Sequence, residues 1–325
     1  LQNCLDWVRL GEGRKAIVIA SDVAKYKLGS TGEYTQGAGA VAFLVEENPQ
    51  IISIKDNWGV SSNSVSDFFK PRKTVSVESM LSELLNEDSA KREIEIYSEE
   101  PVFDGQYSNE CYQSRMVESL AHFGEQKAFN LLNDWQHLIF HLPYAFQGRR
   151  MIVDTWLKAV EENNLMSQLE EEIGPRDEGD EKTWRKAASK SSMYKSFVSA
   201  KIASGEKASS FIGNMYTASI FMSFVSLLVS KAKEGSDISG NHVGFLSYGS
   251  GSKSKVFEGT LEINWKTKVQ HLELFEELSS RTRIDVETYE GLHNKKIKES
   301  ISTEKRIGLS SIKTEVNQEG YRIYG

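Results

Sequence analysis

Three short apolar runs, each halted by polar or glycine-rich residues, restrict this chain to a layered α/β architecture. They lie at residues 15–22, 138–144 and 243–251. Runs this short and apolar read as strands buried on both faces. The second, Leu138-Ile139-Phe140-His141-Leu142-Pro143-Tyr144, is stopped by a proline, which cannot continue a strand ladder. In layered α/β folds, ligands bind at such strand ends, where a rigid element aims a side chain into a cleft. His141 stands at that point.

The rest of the chain alternates in the same style. Residues 1–8 read as a helix and 15–20 as a buried strand. A loop rich in Gly, Ser and Thr covers 28–36, and a second strand, entered through small residues, covers 37–45. Amphipathic helices are expected at 77–90 and 110–123, a strand at 136–140 and a helix at 149–163. Residues 164–182 are acidic and carry Gly174-Pro175, the mark of a surface excursion. A short strand is expected at 209–212 and a helix from about 217 to 233. Strands at 243–247 and 255–263 are joined by a Gly/Ser turn. The tail from residue 272 is charged. The strand–loop–strand unit at 15–45 echoes the unit at 243–263, as a duplicated α/β unit or chance would produce.

Composition excludes several classes. The 325 residues suit about two domains at roughly 150 residues each. The net charge of −7 argues against broad nucleic-acid binding, which needs a basic face, while leaving room for a local basic pocket. Cys4 and Cys111, far apart, suggest a reducing, cytoplasmic setting without a disulfide framework. The six histidines form no metal-type pattern with cysteine. Residues 1–10 are amphipathic and lack the basic-then-apolar order of a signal peptide. The longest apolar run, 220–229, is too short to span a bilayer. The chain opens without Met inside what reads as a helix, and upstream sequence is expected.

Several residues could carry chemistry. His141 titrates near neutral pH and can accept or give a proton; its ordinary alternative is a buried histidine satisfied by backbone. Asn214, before a helix, offers donors and an acceptor to a ligand carbonyl, or caps the helix. The turn Ser247-Tyr248-Gly249-Ser250-Gly251 can present N–H groups to a carbonyl or phosphate, or serve as a plain hairpin turn. Asp22 and Asp67, taken singly, read as structural hydrogen-bonding groups.

The order and wording of the motifs say more than any one of them. Ser21-Asp22-Val23-Ala24-Lys25-Tyr26 is followed by Thr35-Gln36-Gly37-Ala38-Gly39-Ala40-Val41-Ala42. Then come Asp67-Phe68-Phe69-Lys70-Pro71, Val102-Phe103-Asp104-Gly105 and Phe140-His141-Leu142-Pro143-Tyr144. Gly213-Asn214-Met215-Tyr216-Thr217 and Phe245-Leu246-Ser247-Tyr248-Gly249-Ser250-Gly251 complete the set. As a set they closely resemble the 3-hydroxy-3-methylglutaryl-CoA synthase family, less so across 164–200 and past about 265.

The resemblance implies a thiolase-like five-layer αβαβα fold of two related halves, here N-terminally truncated. Residues 1–130 would be the remainder of the first half and 131–325 the second half with its tail. It implies an acyltransferase of the mevalonate (isoprenoid) pathway that condenses acetyl-CoA with acetoacetyl-CoA, as a homodimer. No cofactor is needed beyond the CoA thioesters, and no metal, nucleic acid or membrane is involved. Within that resemblance His141 is the catalytic residue that holds acetoacetyl-CoA and assists addition. Thr35, Ser108, Arg150, Asn214 and Ser250 bind substrate, with Arg149 as a second candidate for the CoA phosphates. Asp22, Asp67, Tyr216, Ser247 and Tyr248 support the site.

Two departures stand out. The family's nucleophilic cysteine lies in an Ala-Cys-Tyr motif, which neither Cys4 nor Cys111 matches, and its glutamate base lies further upstream still; the stretch alone is expected to be inactive. A family lysine five residues after the histidine is Phe146 here. Two other readings therefore stay open: a β-branching synthase acting on carrier-protein-bound ketoacyl chains, and a non-catalytic thiolase-fold partner subunit.

Overall fold

The computed structural model describes residues 1–76, 93–176, 178–299, 301 and 309–325, which divide into two units, Leu1–Phe275 and Glu276–Gly325. The helix expected at 77–90 lies outside the described residues. The first unit begins with α1 (Gln2–Arg9), whose apolar side seats Val8 inside. Strands β1 (Lys15–Ala24) and β2 (Gly37–Glu46) then pair antiparallel, from Lys15 opposite Glu46 to Ala24 opposite Gly37. Side chains alternate across such a pair. Phe43 packs on Phe221 with ring centroids 4.9 Å apart, on the inner face. Ile17, Ile19, Val23 and Leu44 stand exposed on the other.

β3 (Ile52–Ser62) is a strand that the sequence hides, because Lys55-Asp56-Asn57 interrupts its apolar pattern. Short strands follow: β4 (Phe68–Phe69), β5 (Arg72–Ser76), β6 (Glu93–Tyr97) and β7 (Val102–Phe103), with β4 paired to β7 and β5 to β6. Helix α2 (Gly105–Gln126) starts at Asp104, whose carboxylate accepts from the N–H groups of Gln106 and Tyr107. Such a cap contributes about 1 kcal/mol by satisfying orphan donors of the first turn.

β8 (His137–Phe140) is buried at every position. The expected helix at 149–163 breaks at Ile152 into α3 (Gln147–Met151) and α4 (Val153–Glu162). The expected surface excursion is instead partly core. α5 (Met166–Ile173) seats Leu169 in the interior, and Glu172 accepts from the N–H groups of Ser192 and Met193. α6 (Glu181–Ala188) and α7 (Ser192–Lys201) follow. The strand expected at 209–212 is the last turn of helix α8 (Ala203–Ile212). Small residues decide this: a Cβ on Gly205 would lie 2.9 Å from Ser223 Oγ, so α8 rides close on α9 (Ser219–Lys233).

β9 (His242–Gly249), β10 (Lys253–Leu261) and the short helix α10 (Trp265–Val269) end the core. The main sheet has the order β3-β10-β9-β8; only β8 and β9 run parallel, with Ile139 opposite Phe245. Period-two alternation splits its side chains between two cores. Leu138, Phe140, Leu246 and Val256 join Phe123, Trp135 and Trp156 on the side of α2 and α4–α7. Ile139, Phe245 and Phe257 join Leu227 and Leu228 of α9 on the other. Burying one aromatic such as Trp135 removes ~200 Å² from water, worth about 5 kcal/mol. Helices on both faces explain why β8 is buried throughout and apolar over residues 138–140. Among the described residues no helix is long and apolar enough to cross a membrane.

The second unit, described by itself, holds helix α11 (Val286–His293), capped by Asp285, and the hairpin of β11 (Leu309–Ile312) with β12 (Arg322–Tyr324).

Candidate active site

His141 follows directly on β8, and its N–H donates to Leu246 O at 3.0 Å, which extends the parallel pairing one residue. Its side chain is only partly exposed. Burial pushes its imidazole down from 6.5 to about 4, so the ring is neutral at physiological pH. A neutral ring at a strand end has one donor and one acceptor nitrogen to offer a ligand.

A frame of rings stands behind it. Tyr112 of α2 donates its hydroxyl to His141 O at 2.7 Å. The Tyr112 ring stacks on that of Tyr248, centroids 4.5 Å apart and planes 10° apart. Tyr248 in turn donates to Asp67 Oδ2 at 2.5 Å, and Gly251 N donates to Asp67 Oδ1 at 2.8 Å. Asp67 has no exposed surface. Burial, then the Asp67 carboxylate, pushes the Tyr248 phenol upward. Ser250, exposed in the turn after β9, opposes that rise slightly. The turn after β9 therefore spends N–H groups on the protein: Gly251 on Asp67, and Ser252 on Asn63 O at 2.6 Å. Ser247 spends its hydroxyl on Lys255 O at 2.9 Å, within the sheet.

The other candidates gather around Asn214. Its N–H donates to Thr35 O at 2.8 Å, its Nδ2 to Tyr26 Oη at 3.1 Å, and its Oδ1 accepts from Tyr216 N at 2.8 Å. The last contact turns the chain toward α9, the local turn that Asn favours. Glycines permit the approach. A Cβ on Gly213, at φ +87°, would lie 2.1 Å from Gln36 O, and one on Gly37 would lie 2.4 Å from Ile212 O. Thr35 donates its hydroxyl to Gly32 O at 2.7 Å. Burial, then Tyr26 and lastly Asp22, pushes the Tyr216 phenol upward. Phe68, next to Asp67 in sequence, packs edge-on against Tyr216 at 5.9 Å. The dipeptide Asp67-Phe68 thus joins the His141 cluster to the Asn214 cluster.

Arg150 donates to Tyr144 Oη at 2.5 Å and is otherwise exposed, on the short helix α3 that follows the histidine's loop. Arg149 is committed elsewhere: its guanidinium makes a multiple contact with Glu206, which is 3 % exposed. Ser108 sits on α2 one turn before Tyr112. Cys111 is buried; Cys4 lies on α1, half-buried. A separate cavity of about 470 Å³ opens among Phe146, Arg149, Ser204, Glu206, Lys207 and Lys231, and none of His141, Asn214 or Ser250 lines it. Among the described residues no group of three His, Cys, Asp or Glu side chains is placed to hold a metal. Reading the sequence singled out neither Tyr112 nor Phe68. The four-residue spacing from Ser108, one face of one helix, was the only local signal for Tyr112.

Residues 90–321 match the family model described as hydroxymethylglutaryl-coenzyme A synthase, C terminal. Hydroxymethylglutaryl-CoA synthase of Haloferax volcanii is 28% identical over 308 residues, 90% of this chain and 63% of that protein. The Enterococcus faecalis enzyme of the same name is 27% identical over 97% of this chain and 68% of its own length. A solved structure of MvaS in complex with 3-hydroxy-3-methylglutaryl coenzyme A covers the whole chain at TM-score 0.72 and 25% identity, with 70% of that protein matched. An HMG synthase of the curacin biosynthetic pathway shares the fold, at TM-score 0.69 and 19% identity. The chain thus spans roughly two thirds of the length of these relatives. Its fold is the α/β fold of the thiolase-like synthases, and the chain belongs to the hydroxymethylglutaryl-CoA synthase family.

Proposed function

We propose that this chain serves the condensation of acetyl-CoA with acetoacetyl-CoA to 3-hydroxy-3-methylglutaryl-CoA, holding the acceptor ketone at His141. The observation that carries the reading is the neutral, partly exposed imidazole at the end of β8, framed by Tyr112, Tyr248 and Asp67. Addition of a carbanion to a ketone places negative charge on its oxygen. An imidazole N–H aimed at that oxygen stabilises the charge, and such a donor is worth about 10²–10³ in rate. Asn214 and Ser250 are assigned to the acyl groups, Thr35 and Ser108 to the walls of the same site, and Arg150 to the CoA phosphates. Asp22, Asp67, Tyr216 and Tyr248 hold these in place; Ser247 supports through the sheet.

Acetyl transfer needs a thiolate in an accessible, electropositive place. Cys111 is buried and Cys4 lies on α1 outside the frame, so the residues of this chain bind and orient the acceptor without forming the acetyl-enzyme. The substrates are the CoA thioesters, with no further cofactor. The mevalonate pathway and the cytoplasm are part of this reading, supported by relatives such as the mouse protein named as cytoplasmic. The exposed apolar face of β1 and β2 supports a homodimer. A division near residue 130 into two related halves belongs to the same proposal. A second reading, action on carrier-protein-bound ketoacyl chains, is favoured by Phe146, where the resemblance calls for a lysine on the CoA side.

Calorimetry with acetoacetyl-CoA and with an acetoacetyl carrier protein decides between the two. The expected result is binding of acetoacetyl-CoA that weakens about tenfold in Arg150→Ala, the loss of one charge-assisted contact to phosphate. Intact mass after incubation with acetyl-CoA should show no adduct on either cysteine. Binding of the carrier protein alone would turn the assignment to the second reading, and binding of neither would end both.

A further inference from the structure

One side chain outside the candidate set touches three elements that carry it. Tyr112 lies on α2, one turn after Ser108; its hydroxyl donates to the carbonyl of His141 beyond β8 at 2.7 Å; its ring lies flat on Tyr248 of β9 at 4.5 Å. It is 2 % exposed, too buried to meet a ligand itself. We propose that Tyr112 is a positioning residue, which sets the height and direction of His141 by holding its main-chain carbonyl while its ring locks Tyr248 against Asp67. This rests on the reading of His141 as the working group of the site.

The physical case has three parts. The loop of residues 141–146 leaves the sheet after a single backbone bond, His141 N to Leu246 O, so the orientation of its first peptide is set by whatever takes its carbonyl. Tyr112 is that partner, and no water is needed to complete the bond. Burial, with a smaller contribution from Tyr144, pushes the Tyr112 phenol upward, so the donor is protonated at every pH at which the protein works. A near-parallel stack at 4.5 Å also leaves the two rings no freedom to slide apart. One ring therefore ties together α2, β8 and β9, which carry Ser108 and lead directly into His141 and Ser250.

Removing only the hydroxyl, in Tyr112→Phe, keeps the stack and frees the carbonyl. The slackened loop lets water reach the imidazole. Burial alone depresses that ring. The titratable groups that face it are Tyr112 of α2, with ring centroids 6.3 Å apart, Tyr144 on its own loop, and, behind Tyr112, Tyr248 of β9 with Asp67. The test is a histidine-labelled NMR titration of the whole chain, with the His141 resonance assigned by its loss in His141→Gln. The control is Tyr194→Phe, which removes another buried tyrosine hydroxyl bonded to a backbone carbonyl, that of Arg149. The expected result is a rise in the His141 midpoint of at least one pH unit, tenfold in proton affinity, in Tyr112→Phe and none in Tyr194→Phe. A midpoint that stays put in Tyr112→Phe overturns the proposal, and so does an equal rise in both variants, which reports general loosening. Tyr112→Trp, which keeps a stacking ring without the hydroxyl, replaces Tyr112→Phe if the latter does not fold and is judged by the same criterion. No substrate enters the measurement, so a failed condensation or binding assay leaves its outcome intact.

Discussion

Replacing Asp67 should cost more than any other single carboxylate near the site. The residue has no exposed surface, and its two oxygens accept from Tyr248 Oη at 2.5 Å and Gly251 N at 2.8 Å. Asp67→Ala leaves both donors facing a cavity. A hydrogen bond to a charged acceptor contributes about 1.5–3 kcal/mol, and an orphaned buried donor costs a similar amount. The Tyr248 hydroxyl is only half-buried and recovers part of its loss from water, which brings the sum to about 3–5 kcal/mol. In a chain of this size that is roughly 10 °C in Tm. Asp67→Asn keeps the shape and one acceptor oxygen, and the Tyr248 hydroxyl can turn to accept from the new amide, so its cost should be about 1–2 kcal/mol. Urea unfolding followed by circular dichroism measures both, provided the slope with denaturant stays constant. If Asp67→Ala falls within 1 kcal/mol of the parent, the carboxylate is not the anchor of the turn after β9, and the frame behind His141 is held by ring packing and the remaining backbone bonds.

Acid should weaken the fold through its histidines: the folded-state pKa of His137, 5 % exposed, is depressed by burial, then by Lys231 and Lys201, from 6.5 to about 4. The neutral form is the folded one, so this stability is full above pH 6.5 and is lost as pH falls toward 4. It amounts to about 3 kcal/mol, and urea midpoints at pH 7 and 4.5 should differ less in His137→Phe than in the parent. Arg149→Met should cost about 3–5 kcal/mol at pH 7, because it leaves buried Glu206 unpaired. Burial already raises that carboxyl's pKa, so the deficit should shrink at pH 5, where the unpaired group takes a proton, and a deficit that does not change with pH would count against a buried charge. Gly213→Ala should abolish or severely destabilise the fold by thermal melting, since the backbone is at φ +87° and Gln36 O stands 2.1 Å from the new Cβ. Gly235→Ala, also at positive φ but with open space around it, should cost only about 1 kcal/mol.

What could be read from the sequence follows the range of the forces involved. β8 and β9 were legible because a strand covered on both faces carries a continuous apolar run, Leu138–Phe140 and Val243–Leu246, and α9 because its length and pattern are helical. α8 was misread: residues 209–212 are Ser-Ser-Phe-Ile, and the small residues that make it a helix do so by contact with α9, a tertiary fact. α5 was misread as surface because its charges outnumber its one decisive core residue, Leu169. At the site, the motif order named His141, Asn214, Asp67 and Tyr248 as candidates, and the structure sets them in two linked clusters. Their grouping into two clusters, and the loss of Arg149 to Glu206, depend on partners 29 or more residues away. No local pattern encodes those distances.

That same dependence explains how a site can be built from single residues at the ends of elements. Each strand or helix end contributes one group whose direction its own backbone does not settle. His141 is directed by α2 through Tyr112, Tyr248 by Asp67, and Asn214 by the chain at Thr35 and Tyr26. Asp67 and Phe68 are neighbours, and successive side chains of an extended chain point to opposite sides. One peptide therefore anchors the turn after β9 with its carboxylate and packs on Tyr216 with its ring. An adjustment at either cluster is therefore felt at that peptide. The placement of the half-buried His141 ring is thus a property of the whole set of contacts, and the weakest of them sets how precisely that ring is held.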